Sequence, residues 1–123
     1  MGAIIAINAP PLSSASQAVT RAVATWPGVG CESGPVDASL QFRFRGQVLG
    51  HLYAVCGDFP AVDAVFPPPM GEALIALGRG ERHPVVPDGG WVFRPIRERD
   101  DIAAAIALLR DNYDRLSRRL RVV

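Results

Sequence analysis

The residues Gly78 to Ile96, with the sequence GRGERHPVVPDGGWVFRPI, decide how the chain is organised. They lie between two helical patterns and contain His83, one of only two histidines in the chain. The glycine pair in Asp88-Gly89-Gly90 predicts a turn, and the aromatic run that follows predicts a strand from Trp91 to Ile96. A strand between two helices indicates a sheet that is covered by helices.

Helices are predicted on both sides of this stretch. Before it, the prolines at 67–69 suit a first helical turn, and the apolar residues of 70–77 mark a short helix that ends at Gly78. After it comes the clearest helical pattern in the chain, with Asp100 as the predicted N-cap. Its apolar stripe comprises Ile102, Ala105, Ile106, Leu109, Tyr113, Leu116 and Leu120.

Two adjacent strands are predicted between residues 40 and 55. Apolar and polar residues alternate over Leu40–Arg45, which is the period of a half-buried strand. Gly46 and Gln47 predict a tight turn into a second strand, Val48 to Val55. The two strands should therefore form an antiparallel hairpin.

The register of this hairpin decides where His51 and Tyr53 point. A two-residue loop at Gly46-Gln47 pairs Phe42 with His51 and turns the side chains of His51 and Tyr53 towards the apolar side. A three-residue loop turns them to solvent, because a slip of one residue inverts every side chain. The sequence leaves this choice open.

The remaining segments complete a single α+β domain over residues 1–123, with a core of about 14–120. Ser14 and Gln17 form a capping-box pattern before a first helix that ends at Pro27-Gly28. Residues 30–36 are turn-rich, Asp58–Phe66 has the length of a short strand, and residues 1–12 suit either an edge strand or a frayed end. We predict an antiparallel sheet with helices packed on one face.

Composition excludes several classes of function. The chain has 123 residues and a formal net charge of +1, and all 13 basic residues are arginine. The absence of lysine excludes Schiff-base chemistry and a P-loop, and the balanced charge predicts no nucleic-acid or membrane partner. Neither Cys31 nor Cys56 has metal-ligand spacing, and we expect both to be reduced and mostly buried. Without a signal peptide pattern or a membrane-spanning run, a cytoplasmic location is expected.

Four ordered motifs resemble the luciferase-domain family, which includes the fungal luciferases and small bacterial proteins. They are Gly50-His51-Leu52-Tyr53, Asp63-Ala64-Val65-Phe66-Pro67, Gly78-Arg79-Gly80-Glu81-Arg82-His83-Pro84 and Gly90-Trp91-Val92-Phe93, the last leading into a helix with Asn112-Tyr113. Where family members commonly carry His-x-His, this chain has His51 and Tyr53. The order of elements is also similar to that of the double-wing domains of the MmcQ/YjbR type.

The resemblance implies a function for these motifs. Fungal members oxidise a hydroxylated styryl-pyrone with molecular oxygen and with no known metal or flavin requirement. The resemblance therefore implies a pocket for a planar aromatic or enolic molecule, oxidoreductase or proton-abstraction chemistry, and no cofactor. A non-catalytic module that binds a small molecule or a protein is the alternative, and the oligomeric state stays open.

The candidate site lies between the hairpin and residues 79–94. We expect His51, Tyr53, His83 and Trp91 to line a pocket, with His51 as the base, since imidazole titrates near neutral pH. His83 is the second candidate catalytic residue, with His83 or Arg82 stabilising an enolate. The further candidate ligand contacts are Arg79 and Arg94.

Structural roles compete with these assignments. A buried histidine is commonly hydrogen-bonded within the core, and His83 could cap a helix end. Asp63 fits a cap or turn residue better than a catalytic acid. His51, Asp63 and His83 are also the residue types of a two-histidine, one-carboxylate iron site, but their spacing does not support a metal site. A serine or cysteine nucleophile is not indicated, because no elbow motif surrounds any serine and neither cysteine has a neighbouring histidine in the sequence.

Overall fold

A computed structural model describes residues 11–122, in which three helices cover a six-stranded antiparallel sheet. The helices are α1 (Pro11–Ala24), α2 (Pro68–Ala76) and α3 (Asp100–Val122). The strands are β1 (Val29–Ser33), β2 (Ser39–Phe44), β3 (Gln47–Cys56), β4 (Phe59–Val65), β5 (Glu81–Arg82) and β6 (Trp91–Pro95). The strand order is β1-β2-β3-β4-β6-β5.

This architecture confirms the predicted α+β fold with helices on one face of the sheet. The core comprises apolar residues of all three helices together with alternate residues of the central strands, such as Phe42, Val62 and Val92. The opposite face of the sheet, here called the open face, carries the residues between them. No helix within residues 11–122 combines the length and apolar character that a membrane crossing requires.

Several local predictions are wrong or incomplete. The turn-rich segment 30–36 contributes β1, whose five residues are mostly exposed and therefore show no alternation. The loop at 79–83 contains the two-residue strand β5. Cys31 and Cys56 are exposed rather than buried. The first helix begins at Pro11, before the predicted cap at Ser14, so residues 11–12 are helical rather than an edge strand or a frayed end. The rest of that prediction, for residues 1–10, lies outside the described residues.

The hairpin register differs from both expected alternatives. The turn has two residues, but they are Arg45 and Gly46, because Phe44 pairs with Gln47. A bulge then opposes Leu49 and Gly50 to Phe42, so that both Leu49 and Leu52 are buried in the core. His51 consequently pairs with Gln41 and points to the open face.

The bulge is held from the helical layer. Asn112 of α3 is completely buried, and its Nδ2 donates a hydrogen bond of 2.8 Å to the carbonyl oxygen of Leu49. A buried backbone carbonyl needs such a donor where a bulge disrupts the ladder. Tyr113 donates to the Pro27 carbonyl at 2.7 Å. Asn112 therefore stabilises the bulge that places His51, whereas Tyr113 anchors the turn between α1 and β1.

Gly50 is required where β3 crosses α3. A Cβ at this position would lie 2.2 Å from the Asp63 carbonyl oxygen and 2.7 Å from Cδ2 of Leu109. We expect Gly50→Ala to lower the free energy of unfolding by about 2–3 kcal/mol, because the crowded backbone must move. Urea unfolding measures this loss. Gly30→Ala is the control, since a Cβ there meets nothing within 4 Å, and equal losses for both variants would contradict the explanation.

Candidate functional site

One row of paired residues crosses the open face through all six strands. It contains Glu32, Gln41, His51, Asp63, Phe93 and Glu81, each directly opposite the next. Paired residues on one face lie close enough for side-chain contact. The row therefore brings His51 and Asp63 together, although 11 residues separate them in the sequence.

Asp63 is the centre of this row and is only 1% exposed. Its Oδ1 accepts from the backbone N–H of His51 at 3.0 Å and from Nδ1 of the same residue at 2.8 Å. Its Oδ2 accepts from the Tyr53 hydroxyl at 2.7 Å and from Nε2 of His83 at 3.0 Å. Four donors on two oxygens leave no place for a carboxyl proton, so Asp63 is a carboxylate that is satisfied by hydrogen bonds.

His83 is held in one neutral tautomer. Its Nδ1 lies 3.1 Å from the backbone nitrogens of both Val85 and Val86, which are donors. Nδ1 must therefore accept, and the ring proton must lie on Nε2, where it is donated to Asp63. This arrangement fixes the loop after His83 against the open face.

His51 is held in the opposite tautomer. Its Nδ1–H is donated to the carboxylate of Asp63, and its Nε2 lies 2.9 Å from the side-chain amide of Gln41. The Gln41 amide is assigned with its nitrogen towards His51, because its oxygen then accepts from Nε of Arg43 at 3.2 Å and from Nη2 at 3.0 Å. Nε2 of His51 is therefore an unprotonated acceptor.

Tyr53 cannot replace a second histidine as a base. Its burial raises the pKa of the phenol well above the ordinary value, and the hydrogen bond to Asp63 and the charge of that carboxylate raise it further. The phenol therefore stays neutral near pH 7 and donates to Asp63.

A cleft of about 430 Å³ opens over the row. His51, Tyr53, Asp63, His83, Trp91 and Phe93 line it, and Val36, Val55, Cys56 and Pro84–Val86 complete its wall and rim. The ring of Trp91 stacks on that of His51, with 5.7 Å between centroids and an angle of 25°. Among the described residues, no arginine lines this cleft. It is an apolar cleft with one buried carboxylate beneath it.

The structure brings four of the seven candidate site residues together and leaves three elsewhere. His51, Tyr53, His83 and Trp91 line the cleft. Arg79 pairs with Asp111 on α3, and Arg82 makes two hydrogen bonds to Glu72 on α2, of 2.8 and 2.9 Å. Arg94 faces the helical layer, where it pairs with Asp101 at 2.7 Å.

The Asp101 carboxylate, in the first turn of α3, also holds the segment that leads into this helix. Its Oδ2 accepts from the backbone nitrogens of Arg97 and Glu98. Burial alone would raise the pKa of Asp101, but hydrogen bonds from Arg94 and these two N–H groups outweigh that effect and hold it below its ordinary value. The N-cap prediction for Asp100 is therefore wrong, and the carboxylate of Asp101 bonds backward to the two N–H groups before the helix.

Asp101→Asn should lower the free energy of unfolding at pH 7 by about 1–2 kcal/mol, because two backbone hydrogen bonds and a partly buried ion pair are weakened. A lowered folded-state pKa means that this stabilisation is present above the unfolded-state pKa and is lost as pH falls through the folded-state value. The difference from wild type should therefore shrink below about pH 4 in urea unfolding. A difference that stays constant from pH 7 to pH 3 would contradict this.

Sequence reasoning missed Asp63 and Gln41 as members of the site. Asp63 is the one charged residue of Ala61–Val65, and a lone carboxylate in an apolar strand indicates a buried and paired group. Gln41 could not have been found without the register, because its contact with His51 depends on the bulge at Leu49.

The family model described as Luciferase domain matches residues 50–112, just over half of the chain. The chain belongs to the luciferase-domain family. The matched segment of this luciferase domain contains His51, Tyr53, Asp63, His83 and Trp91, whereas Gln41 and Arg43 precede it. Comparison with curated proteins and with solved structures gives no match.

Within residues 11–122, no group of three or more histidine, cysteine or acidic side chains has the geometry of a metal site. His51, Asp63 and His83 are close together, but each Asp63 oxygen accepts a hydrogen bond from a ring N–H of one of the two histidines. The carboxylate is thus placed to orient the imidazoles.

Proposed function

We propose that this luciferase domain binds a neutral, planar aromatic or enolic molecule in the cleft and that His51 removes a proton from it. The observation that carries the proposal is the pair formed by the buried Asp63 carboxylate and His51 Nδ1, at 2.8 Å. A carboxylate in this position orients an imidazole and stabilises the imidazolium that forms when Nε2 takes a proton. Family membership supports the same class of ligand.

The character of the cleft supports an uncharged ligand. Its wall consists of valines, Pro84 and aromatic rings, and the arginines at 79, 82 and 94 are paired with carboxylates elsewhere. An anionic ligand would meet the Asp63 carboxylate and no countercharge. A planar molecule with one ionisable hydroxyl can instead pack against Trp91 and present that hydroxyl to His51.

In the proposed reaction, the O–H bond of the ligand breaks, its proton moves to Nε2 of His51, and the electron pair stays on the ligand as an enolate. The enolate is the electron-rich form that can react with molecular oxygen, without a cofactor. Tyr53 remains protonated and holds Asp63 from the other side.

Equilibrium binding of a hydroxylated styryl-pyrone tests the proposal. Trp91 lies in the cleft, and Trp26 packs against Tyr113 and Arg110, so a Trp26→Phe background isolates the fluorescence of Trp91. We expect saturable quenching, and Val86→Asp should weaken binding at least about tenfold by placing a carboxylate in the cleft wall.

Leu77→Asp is the matched control, because Leu77 is 75% exposed and does not line the cleft. It should leave the affinity unchanged. Absence of saturable quenching, or an equal loss in the Leu77 and Val86 variants, would overturn the proposal.

A binding module without catalysis is the second candidate. The observation in its favour is that Nε2 of His51 already accepts a hydrogen bond from Gln41. Saturable binding of the styryl-pyrone, with neither deprotonation of the ligand nor uptake of oxygen, would establish this alternative.

A further inference from the structure

The side chain of Gln41 lies between the candidate base and an arginine. Its nitrogen is 2.9 Å from Nε2 of His51, and its oxygen accepts from Nε and Nη2 of Arg43 at 3.2 and 3.0 Å. Arg43 is held in turn by Glu32 at 3.1 Å and by the Gly46 carbonyl at 2.8 Å. A chain of side-chain contacts therefore runs from β1 to Asp63 on β4.

The orientation of the Gln41 amide decides which form of His51 it stabilises. With the nitrogen towards the ring, the amide donates to an unprotonated Nε2; rotated by half a turn, its oxygen would accept from a protonated Nε2. Arg43 opposes that rotation, because its guanidinium has only donors and would then face the amide nitrogen.

Other groups around His51 act in the opposite direction or are neutral. The Asp63 carboxylate on β4 favours an imidazolium. Tyr53, on β3 like His51, is a neutral phenol, His83 in the loop after β5 is a neutral imidazole, and Trp91 on β6 stacks on the His51 ring. Arg43 and Gln41 on β2 are thus the groups that oppose Asp63.

We propose that Gln41, oriented by Arg43, is a positioning residue that keeps Nε2 of His51 unprotonated and ready to accept a proton from the ligand. The inference rests on the proposed role of His51 as the base. The amide can also act later in the reaction. A ligand hydroxyl that displaces the Gln41 amide from Nε2 stays within reach of the amide N–H, which can donate to the ligand oxygen once the enolate forms.

Nitrogen chemical shifts of the two histidines test this inference without any ligand. In ¹⁵N-labelled protein at pH 7, we expect His51 to carry its proton on Nδ1 and not on Nε2. In Gln41→Glu, the carboxylate can only accept, so the ratio of protonated to unprotonated Nε2 should rise at least about tenfold. Arg43→Met, which frees the amide to rotate, should raise the same ratio by about threefold or more.

Arg45→Met is the matched control for Arg43→Met, because it removes the neighbouring exposed guanidinium of the same hairpin, which lies over the Phe44 ring instead. It should change the ratio by less than about twofold. The inference is overturned if wild-type His51 carries its proton on Nε2, or if Gln41→Glu and Arg43→Met both leave the ratio within twofold of wild type. If the variants change the His51 nitrogen shifts as expected but the styryl-pyrone does not bind, only the proposed function is refuted. If the styryl-pyrone binds normally but the variants leave these shifts unchanged, only the role of Gln41 is refuted.

Discussion

Replacing Asp63 by alanine should lower the free energy of unfolding by about 3–5 kcal/mol. The change leaves four donors without their acceptor in a buried region: the backbone N–H and Nδ1–H of His51, the Tyr53 hydroxyl and the Nε2–H of His83. A loss of this size is a large fraction of the 5–15 kcal/mol that typically stabilises a domain. Urea unfolding at pH 7 measures it.

Two further variants separate the network from a general effect of charge. Asp63→Asn keeps the shape but gives one end of the side chain donors only, so it should still cost about 2–3 kcal/mol. Asp58→Asn removes a carboxylate from the exposed turn between β3 and β4 and should cost less than about 0.5 kcal/mol. If the Asp63 and Asp58 variants were equally stable, Asp63 could not be the centre of the network.

Replacing His51 by asparagine should slow deprotonation of a bound styryl-pyrone by about 10²–10⁴-fold. The amide nitrogen of asparagine can occupy the place of Nδ1 and still donate to Asp63, while the acceptor at Nε2 is lost. Stability should therefore fall by less than about 1.5 kcal/mol. The rate is measured from the absorbance change of the ligand in stopped flow, and affinity from the fluorescence of Trp91.

Tyr53→Phe is the matched comparison for this variant. It removes one donor to Asp63 and leaves the Nδ1 contact of His51 in place, so the rate should fall by less than about tenfold. Deprotonation at the wild-type rate in His51→Asn would show that His51 is not the base. A change in affinity alone, with no deprotonation by the wild-type protein, would establish the binding module instead.

The sequence predicted the fold best where one face of an element is buried. The stripe on α3 and the alternation over Leu40–Phe44 show the periods of a helix and of a half-buried strand, and both elements are found. Strands β1 and β5 were missed because β1 is almost wholly exposed and β5 has only two residues. Neither strand buries a regular set of side chains that a pattern could show.

The candidate site depends on the bulge in β3, which a regular strand periodicity does not predict. Leu49 and Leu52 are both buried although they are three residues apart, which a regular strand does not permit. That spacing, with Gly50 between them, was the available sign of a bulge. Without the bulge, neither the direction of the His51 side chain nor its contact with Gln41 could be predicted. The family motifs did predict that His51, Tyr53, His83 and Trp91 meet at one cleft.

Assignment of the histidine nitrogens during a titration with the hydroxylated styryl-pyrone would show whether His51 takes a proton from a ligand in the cleft. The chain has two histidines, so both can be followed in one spectrum. We expect the ligand to shift the resonance of His51 Nε2, which becomes protonated, while His83 keeps its proton on Nε2 and its contact with the Val85 and Val86 amides. If the ligand saturates the protein without shifting the resonance of His51 Nε2, or protonates Nδ1 of His83, then His51 is not the base.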